Sequence, residues 1–246
     1  MATMLPEKLK IDSIAEAVCE IRFDSEEVPE LILGKLAAID VWKGYEAQRL
    51  PIADMPATMR INDPHLRHQA IMQLTSEEDN RIVRLGTNML AYNNIGKYAG
   101  WDAYYTDIKR VTKALFEAIP NIKITRLGLR YINALNKGDH RISSINDLKM
   151  RVEVGDEVLT DNINLNYKKV FKDSHEVFVR LSTPSLLKQV DVDLNVLVDL
   201  DLYSQDVSNL QELDGVNKWI DEAHTFEKKE FFSLFPEDVL TEIVEK

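Results

Sequence analysis

One cysteine, Cys19, occurs in 246 residues, so no intramolecular disulfide can form and a reducing compartment is expected. Glycine and proline are scarce as well, at nine and eight residues, which excludes a collagen-like or low-complexity chain. Gly34, Gly44, Gly86 and Gly96 are isolated, so no phosphate-cradling glycine loop is present, and no Gly-x-Ser-x-Gly elbow occurs. No stretch approaches the ~18 apolar residues of a membrane span. The opening residues MATMLPEKLKID lack the apolar centre of a signal peptide. Positive charge is in deficit, with 30 Lys and Arg against 41 Asp and Glu. The resulting −11 argues against direct nucleic-acid binding, which requires cations to displace counterions. A cytoplasmic protein without cofactor or membrane contact is expected. At 45% hydrophobic residues the chain can bury a full core.

The charge is unevenly spread. Residues 185–246 hold five lysines against fifteen acids, a balance of −10, whereas residues 97–151 hold eleven bases against five acids, a balance of +6. Two such regions either face each other in the fold or leave the acidic end for a basic partner. The acidic end contains the most regular stretch of the chain, Val190 to Tyr203. Val192, Leu194, Val196, Val198, Leu200 and Leu202 alternate with Asp191, Asp193, Asn195, Leu197, Asp199, Asp201 and Tyr203. That period predicts a long strand with one packed face and one open face. Four aspartates on one strand face are unusual, because Asp is a poor strand former. Same-face neighbours sit ~7 Å apart, too far to share one cation without a third element. A cross-strand ladder to Arg22, Arg126 or Arg130 is the plainer expectation, with at least one of Arg126 and Arg130 meeting a carboxylate.

Elsewhere, residues 15–23 and 123–135 alternate as strands, and Pro29 starts a short helix ending near Asp40. Residues 43–68, with Pro51, Pro56 and Pro64, predict loop with an edge strand around Thr58 to Ile61. Hairpins are expected around Glu78-Asp79-Asn80 and Lys172-Asp173-Ser174, and a short strand from Asn88 to Tyr92 punctuated by Asn93-Asn94. Trp101, Tyr105, Ile108, Val111, Leu115 and Ile119 mark an amphipathic helix closed by Pro120. After a polar loop a short helix is expected over 144–150, then a long one over 208–231 and a last one from Pro236. The order strand, helix, strands, helix occurs twice. This predicts an α+β fold: a curved, mainly antiparallel sheet with long helices on one face. It forms a single domain of two pseudo-repeated halves, about 1–120 and 121–246.

Several phrases resemble a known family. They are Glu16-Ala17-Val18-Cys19-Glu20-Ile21-Arg22-Phe23, the central Arg126-Leu127-Gly128-Leu129-Arg130-Tyr131-Ile132-Asn133, Trp101 after Lys97-Tyr98, and Phe226-Glu227 after His224. The chain is similar, over nearly its whole length, to the sporadically distributed family of uncharacterised prokaryotic proteins, named for its patchy occurrence. Ala134 stands where the family phrase continues with a basic residue. The resemblance implies no activity and no catalytic residues. Its patchy distribution implies an accessory locus of the defence or toxin–antitoxin type.

The favoured expectation is a non-enzymatic binding or regulatory protein that engages a protein partner, itself basic, through the acidic C-terminal third. The alternative is a metal-dependent hydrolase, or a sensor of a phosphorylated small molecule, working in a charged groove on the open sheet face. That groove comprises Glu16, Glu20, Arg22, Arg126, Arg130, Asp191, Asp193, Asp199 and Asp201. Phosphate-processing tunnel enzymes carry Glu-x-Glu-x-Lys, which the spacing Glu16-x-x-x-Glu20-x-Arg22 does not match. No catalytic residue and no metal-ligand set is expected. His65-Leu66-Arg67-His68 reads as a surface loop, Asp221-x-x-His224 lacks the second pair of a di-metal bundle, and Cys19 reads as core. Homo-oligomerisation stays open.

Overall fold

Alternating and helical patterns translate into elements along a computed structural model that describes residues 5–172, 175–184 and 194–245. The strands are β1 (Ile14–Asp24), β2 (Glu46–Arg49), β3 (Met72–Ser76), β4 (Arg81–Leu85), β5 (Met89–Ile95), β6 (Lys123–Leu135), β7 (Glu153–Val154), β8 (Glu157–Val158), β9 (Asn164–Lys172), β10 (His175–Ser182) and β11 (Val196–Ser204). The helices are α1 (Pro29–Ala37), α2 (Ala57–Asn62), α3 (Trp101–Ala118), α4 (Lys137–His140), α5 (Leu213–Ser233) and α6 (Glu237–Ile243). Nine strands form one antiparallel sheet in the order β2-β3-β4-β5-β1-β6-β11-β10-β9, with β7 and β8 paired separately. The fold is α+β, as the mixture of periods predicts.

Register assigns the two faces of the sheet. Cys19 lies opposite Leu129 of β6 and Tyr92 of β5, and Leu129 lies opposite Leu202 of β11. This row and its neighbours, among them Ile21, Leu127, Tyr131, Leu200 and Val177, are buried. The long helices close over that same side. Tyr104 of α3 stacks on Tyr92 and donates its hydroxyl to the carbonyls of Ala17 and Tyr92, at 3.1 and 2.7 Å. Trp219 of α5 stacks on His175 of β10. Tyr104, Ile108, Val111 and Leu115 form the stripe that α3 buries, and Val216, Trp219, Ile220 and Ala223 the stripe of α5. Each Val, Ile or Leu among them contributes ~1.5–3 kcal/mol when fully buried. Gly100, at φ 93°, occupies the N-cap of α3 in a conformation that favours glycine, and it turns the chain sharply into Trp101.

Several boundaries differ from the sequence expectation, for physical reasons. Residues 57–62 are helical instead of an edge strand, because Pro56 supplies the N-cap and its carbonyl accepts from the Met59 and Arg60 amides. The edge strand is β2, whose four residues are all exposed and carry no alternation to betray it. Asn93 and Asn94 continue β5 and do not end it. Asn94 sits in the core face and donates to the carbonyls of Asn80, Ile95 and Lys97. The expected helix over 144–150 is a single 3-10 turn, Ile145–Asp147, fixed by a Ser144–Asp147 capping box, and α4 occupies the expected polar loop. β11 begins at Val196, and Val190 to Asp193 lie outside the described residues, as do Asp173 and Ser174 of the second hairpin. α5 begins at Leu213, five residues late, because Asp206 accepts from the Ser208 amide in a turn that precedes it. No described helix is long and apolar enough to cross a membrane.

Candidate functional site

The open sheet face brings together seven of the nine charged residues singled out from sequence: Glu16, Glu20, Arg22, Arg126, Arg130, Asp199 and Asp201. Asp191 and Asp193 lie outside the described residues. Arg22 and Arg126 are directly opposite each other, a like-charge pair that would repel unaided. Glu20 resolves the conflict by accepting from Arg22 Nε at 2.8 Å and Arg126 Nη1 at 2.6 Å. Arg126 also reaches Asp201 at 3.2 Å and lies over the Tyr203 ring. Its path crosses Gly128, where a Cβ would sit 2.8 Å from Nη1, so the glycine of the RLGLRYIN phrase makes room for its neighbour. Arg130 grips Asp199 with two bonds of 2.6 and 2.7 Å, and Arg180 adds a third at 3.0 Å. Asp199 is only 4% exposed. Glu16 accepts from Asn93 at 2.6 Å, with Arg84 3.7 Å away. The expected ladder is thus present and the basic and acidic regions face each other, but each of these carboxylates is already answered by a cation or an amide donor.

On the other side of the sheet, a cavity of 580 Å³ opens between the N-terminal segment, the start of α3, the end of β6 and α5. Residues 8–10 close one wall because they pair with the strand-like end of the chain: Leu9 bridges Val244, and Lys10 N donates to Ile243 O at 2.8 Å. Tyr131 and Asn133, two apart on β6, face inward, and Ser13 Oγ donates to Asn133 at 2.9 Å. His224, Glu227, Lys228 and Phe231 line the cavity from one side of α5, at the three- and four-residue spacing of a helix.

Aromatic stacking fixes these groups. Trp101 is sandwiched between Tyr105 and His224, with centroids at 4.9 and 3.9 Å, and its indole nitrogen donates to Asp221 at 3.3 Å. Asp221 and His224, set aside above as an incomplete metal pair, therefore both meet the Trp101 indole. The Tyr131 hydroxyl lies 3.3 Å from that of Tyr98 and 3.4 Å from His224 Nδ1. Burial holds the His224 imidazole neutral, its pKa lowered to about 3, with the nearby Lys228 ammonium adding to the effect. Burial likewise pushes the Glu227 carboxyl up to about 8, only partly opposed by Lys228. Glu227 is 6% exposed and has no hydrogen-bond partner among the described residues. Among the described residues, no group of three or more His, Cys, Asp or Glu could hold a metal ion. A smaller cavity of 260 Å³ between α1, α2 and β3 carries Arg49, Arg60 and Arg67 but no buried ionisable group.

Sequence reasoning named Glu227 only within the Phe226-Glu227 phrase and gave it no role, although a signal was there. Glu227 lies seven residues after Ile220 and Glu230 seven after Ala223, so both acids fall on the apolar stripe of their helix. Glu230 is satisfied by Lys169 Nζ at 2.6 Å and the Tyr167 hydroxyl at 3.1 Å, while Glu227 is not answered in this way. Cys19 is buried on the core face and its thiol is pushed up to about 12, which removes it as a nucleophile at neutral pH. The sequence matches no family model, and no curated protein is similar to it. The reading of function therefore stands on the geometry.

Two predictions follow from these environments. Arg130→Ala leaves Asp199 with Arg180 alone. Because Arg130 is itself 38% exposed, the expected loss is ~1–3 kcal/mol in chemical denaturation and not the full cost of a buried pair. The second concerns pH. Between 4.5 and 8 the unfolded chain releases the Glu227 proton and the folded chain keeps it, so this group lowers stability as pH rises. Between 3 and 6.5 the unfolded chain protonates His224 and the folded chain does not, so that group raises stability as pH rises. The two slopes cancel from 4.5 to 6.5. Glu227→Gln should accordingly gain on the wild type as pH rises from 4.5 to 8, by at most ~1.4 kcal/mol per unit. A stability difference that stays constant over that range would rule out a buried neutral acid.

Proposed function

We propose that this chain is a non-enzymatic binding and regulatory protein whose ligand is a small molecule held between α5 and the sheet. Glu227, a cavity-lining carboxyl without a hydrogen-bond partner among the described residues, carries the reading. A carboxyl on a cavity wall that the described residues leave without a hydrogen bond is available to a ligand. The 580 Å³ volume falls within the range of small-molecule sites, and aromatic walls with a few convergent polar groups match their usual make-up. Binding is favoured over catalysis because Ser13 Oγ, a lining hydroxyl, donates to the Asn133 amide oxygen, which is too weak a base to activate it. The charged sheet face has less to support it as a groove for phosphorylated ligands, since its arginines are already engaged by carboxylates.

A second reading, an acidic C-terminal third that meets a basic protein partner, is favoured by one observation. Glu212, Asp214, Glu237 and Asp238 are all solvent-exposed. The strand order runs outward from β1 through β5, β4 and β3, and outward from β6 through β11, β10 and β9. That mirrored order supports one domain of two repeated halves, about 1–120 and 121–246; a sheet curved around its helices is part of the same proposal. A cytoplasmic setting and an accessory locus of the defence or toxin–antitoxin type come from composition and resemblance.

Thermal-shift measurements across a mixed panel of metabolites test the first reading. At least one class should raise Tm saturably. Ala99→Trp, at an exposed point of the cavity rim, should abolish that shift without lowering the stability of the free protein. A ligand that still binds after the rim is blocked would move the site elsewhere. For the second reading, a partner should be retained at low ionic strength and released at high, and capture that ignores salt would count against it.

A further inference from the structure

We infer that the cavity takes an organic cation, a primary or alkylated ammonium group on a compact apolar body, with Glu227 as its counter-ion. This rests on the cavity being the binding site and narrows what it binds. Within α5 there is an internal standard. Glu230, three residues beyond Glu227 and 3% exposed, is neutralised by the Lys169 ammonium and hydrogen-bonded by Tyr167. The fold thus supplies a cation to one buried carboxylate of this helix, and at Glu227 it leaves that place to whatever enters the cavity.

The groups facing Glu227 favour a cation over an anion. Tyr98 from the loop before α3 and Tyr131 from β6 approach from one side, and neutral His224 and Lys228 share its own helix. Asp12 and Asp102 add carboxylates to the lining. The lysines of the N-terminal segment are already engaged: Lys8 pairs with Glu245, itself on the lining, at 2.9 Å, and Lys10 donates to the Glu242 carbonyl at 2.5 Å. Of the three lining ammoniums only Lys8 has an ion pair among the described residues; Lys228, half-buried, has none and is not paired with Glu227. The walls point the same way. Trp101 spends both faces on Tyr105 and His224, which leaves Tyr98, Tyr131, Phe231 and Phe232 as the aromatic surface. Aromatic faces are electronegative and attract cations, most strongly where water is excluded. An incoming ammonium would draw the proton off Glu227, whose carboxylate then balances the charge. With the free carboxyl titrating at about 8, binding of a permanent cation should release close to one proton at pH 6–7.

Choline and its uncharged carbon isostere, 3,3-dimethylbutanol, are suitable probes because neither titrates. Isothermal calorimetry on the full chain should show choline binding at least tenfold tighter than the isostere. Choline affinity should rise roughly tenfold per pH unit from 6 to 8 and then level off. Repeating the titration in buffers of different ionisation enthalpy reads the released proton directly in the wild type, so the inference does not hang on a variant. Glu227→Gln mimics the protonated acid, so it should fold normally while losing choline affinity at least tenfold together with the proton release. Equal binding of the two probes, or choline binding unchanged in Glu227→Gln, would overturn the cation and leave the cavity standing. Failure of the metabolite panel to bind at the unblocked rim would overturn the cavity itself.

Discussion

From Glu16 to Arg22, β1 pairs with β5 on one edge and with β6 on the other, so the sheet is organised about these two long central strands. The pairing determines which side chains face the helices, because a strand offers alternate residues to opposite faces. Once Cys19 and Leu129 lie side by side beneath α3 and α5, Glu20, Arg126 and Arg130 must lie on the far side. Tyr131 and Asn133 continue the inner row to the point where β1 bulges, between Ile14 and Glu16. There, beneath the later turns of α5 and the start of α3, the row becomes the floor of the cavity. Both candidate surfaces are thus consequences of one antiparallel contact.

Charge burial then separates the two surfaces. On the outer face Asp199 is nearly as buried as any acid among the described residues, yet it is held by two guanidiniums. On the helix-covered face Arg81, 7% exposed, meets Asp107 of α3 at 3.1 Å and the Tyr92 hydroxyl at 3.0 Å. Such pairing is the general condition for keeping an ionised group out of water. Glu227 meets the burial without the partner, and its protonation is the physical response. A site that binds and a face that only folds can look alike as rows of charge in a sequence. Solvation distinguishes them.

How much could be read in advance depended on the range of the interactions involved. The period-two rows of β1, β6 and β11 and the period-3.6 stripe of α3 are local properties, and they place the core and the outer charge row correctly. The pairing of Arg126 and Arg130 with acids followed from like charges that needed compensation. β2 was hidden because an edge strand exposed on all four residues has no reason to alternate. Asn93 and Asn94 resembled a turn because their usefulness depends on acceptors at Glu16, Asn80 and Lys97 that only the folded chain brings near. The cavity was illegible for the same reason. Its walls come from residues 7–14, 98–102, 131–133, 224–232 and Glu245, and nothing in sequence says that these five stretches meet.

The outer charge row has one more consequence, for the fidelity of strand alignment. Apolar alternation has a period of two, so it forbids a slip of one residue but is indifferent to a slip of two. If β11 slid two residues along β6, every apolar side chain would still reach the core. The polar row would not survive the same slide. In one direction Tyr203 would replace Asp201 beside Arg126, and in the other Leu197 would replace Asp199 beside Arg130. Either misalignment takes from one guanidinium the aspartate it now meets. The aspartates therefore act as a key that the hydrophobic pattern cannot provide, selecting one alignment of β11 from a series the core would accept equally.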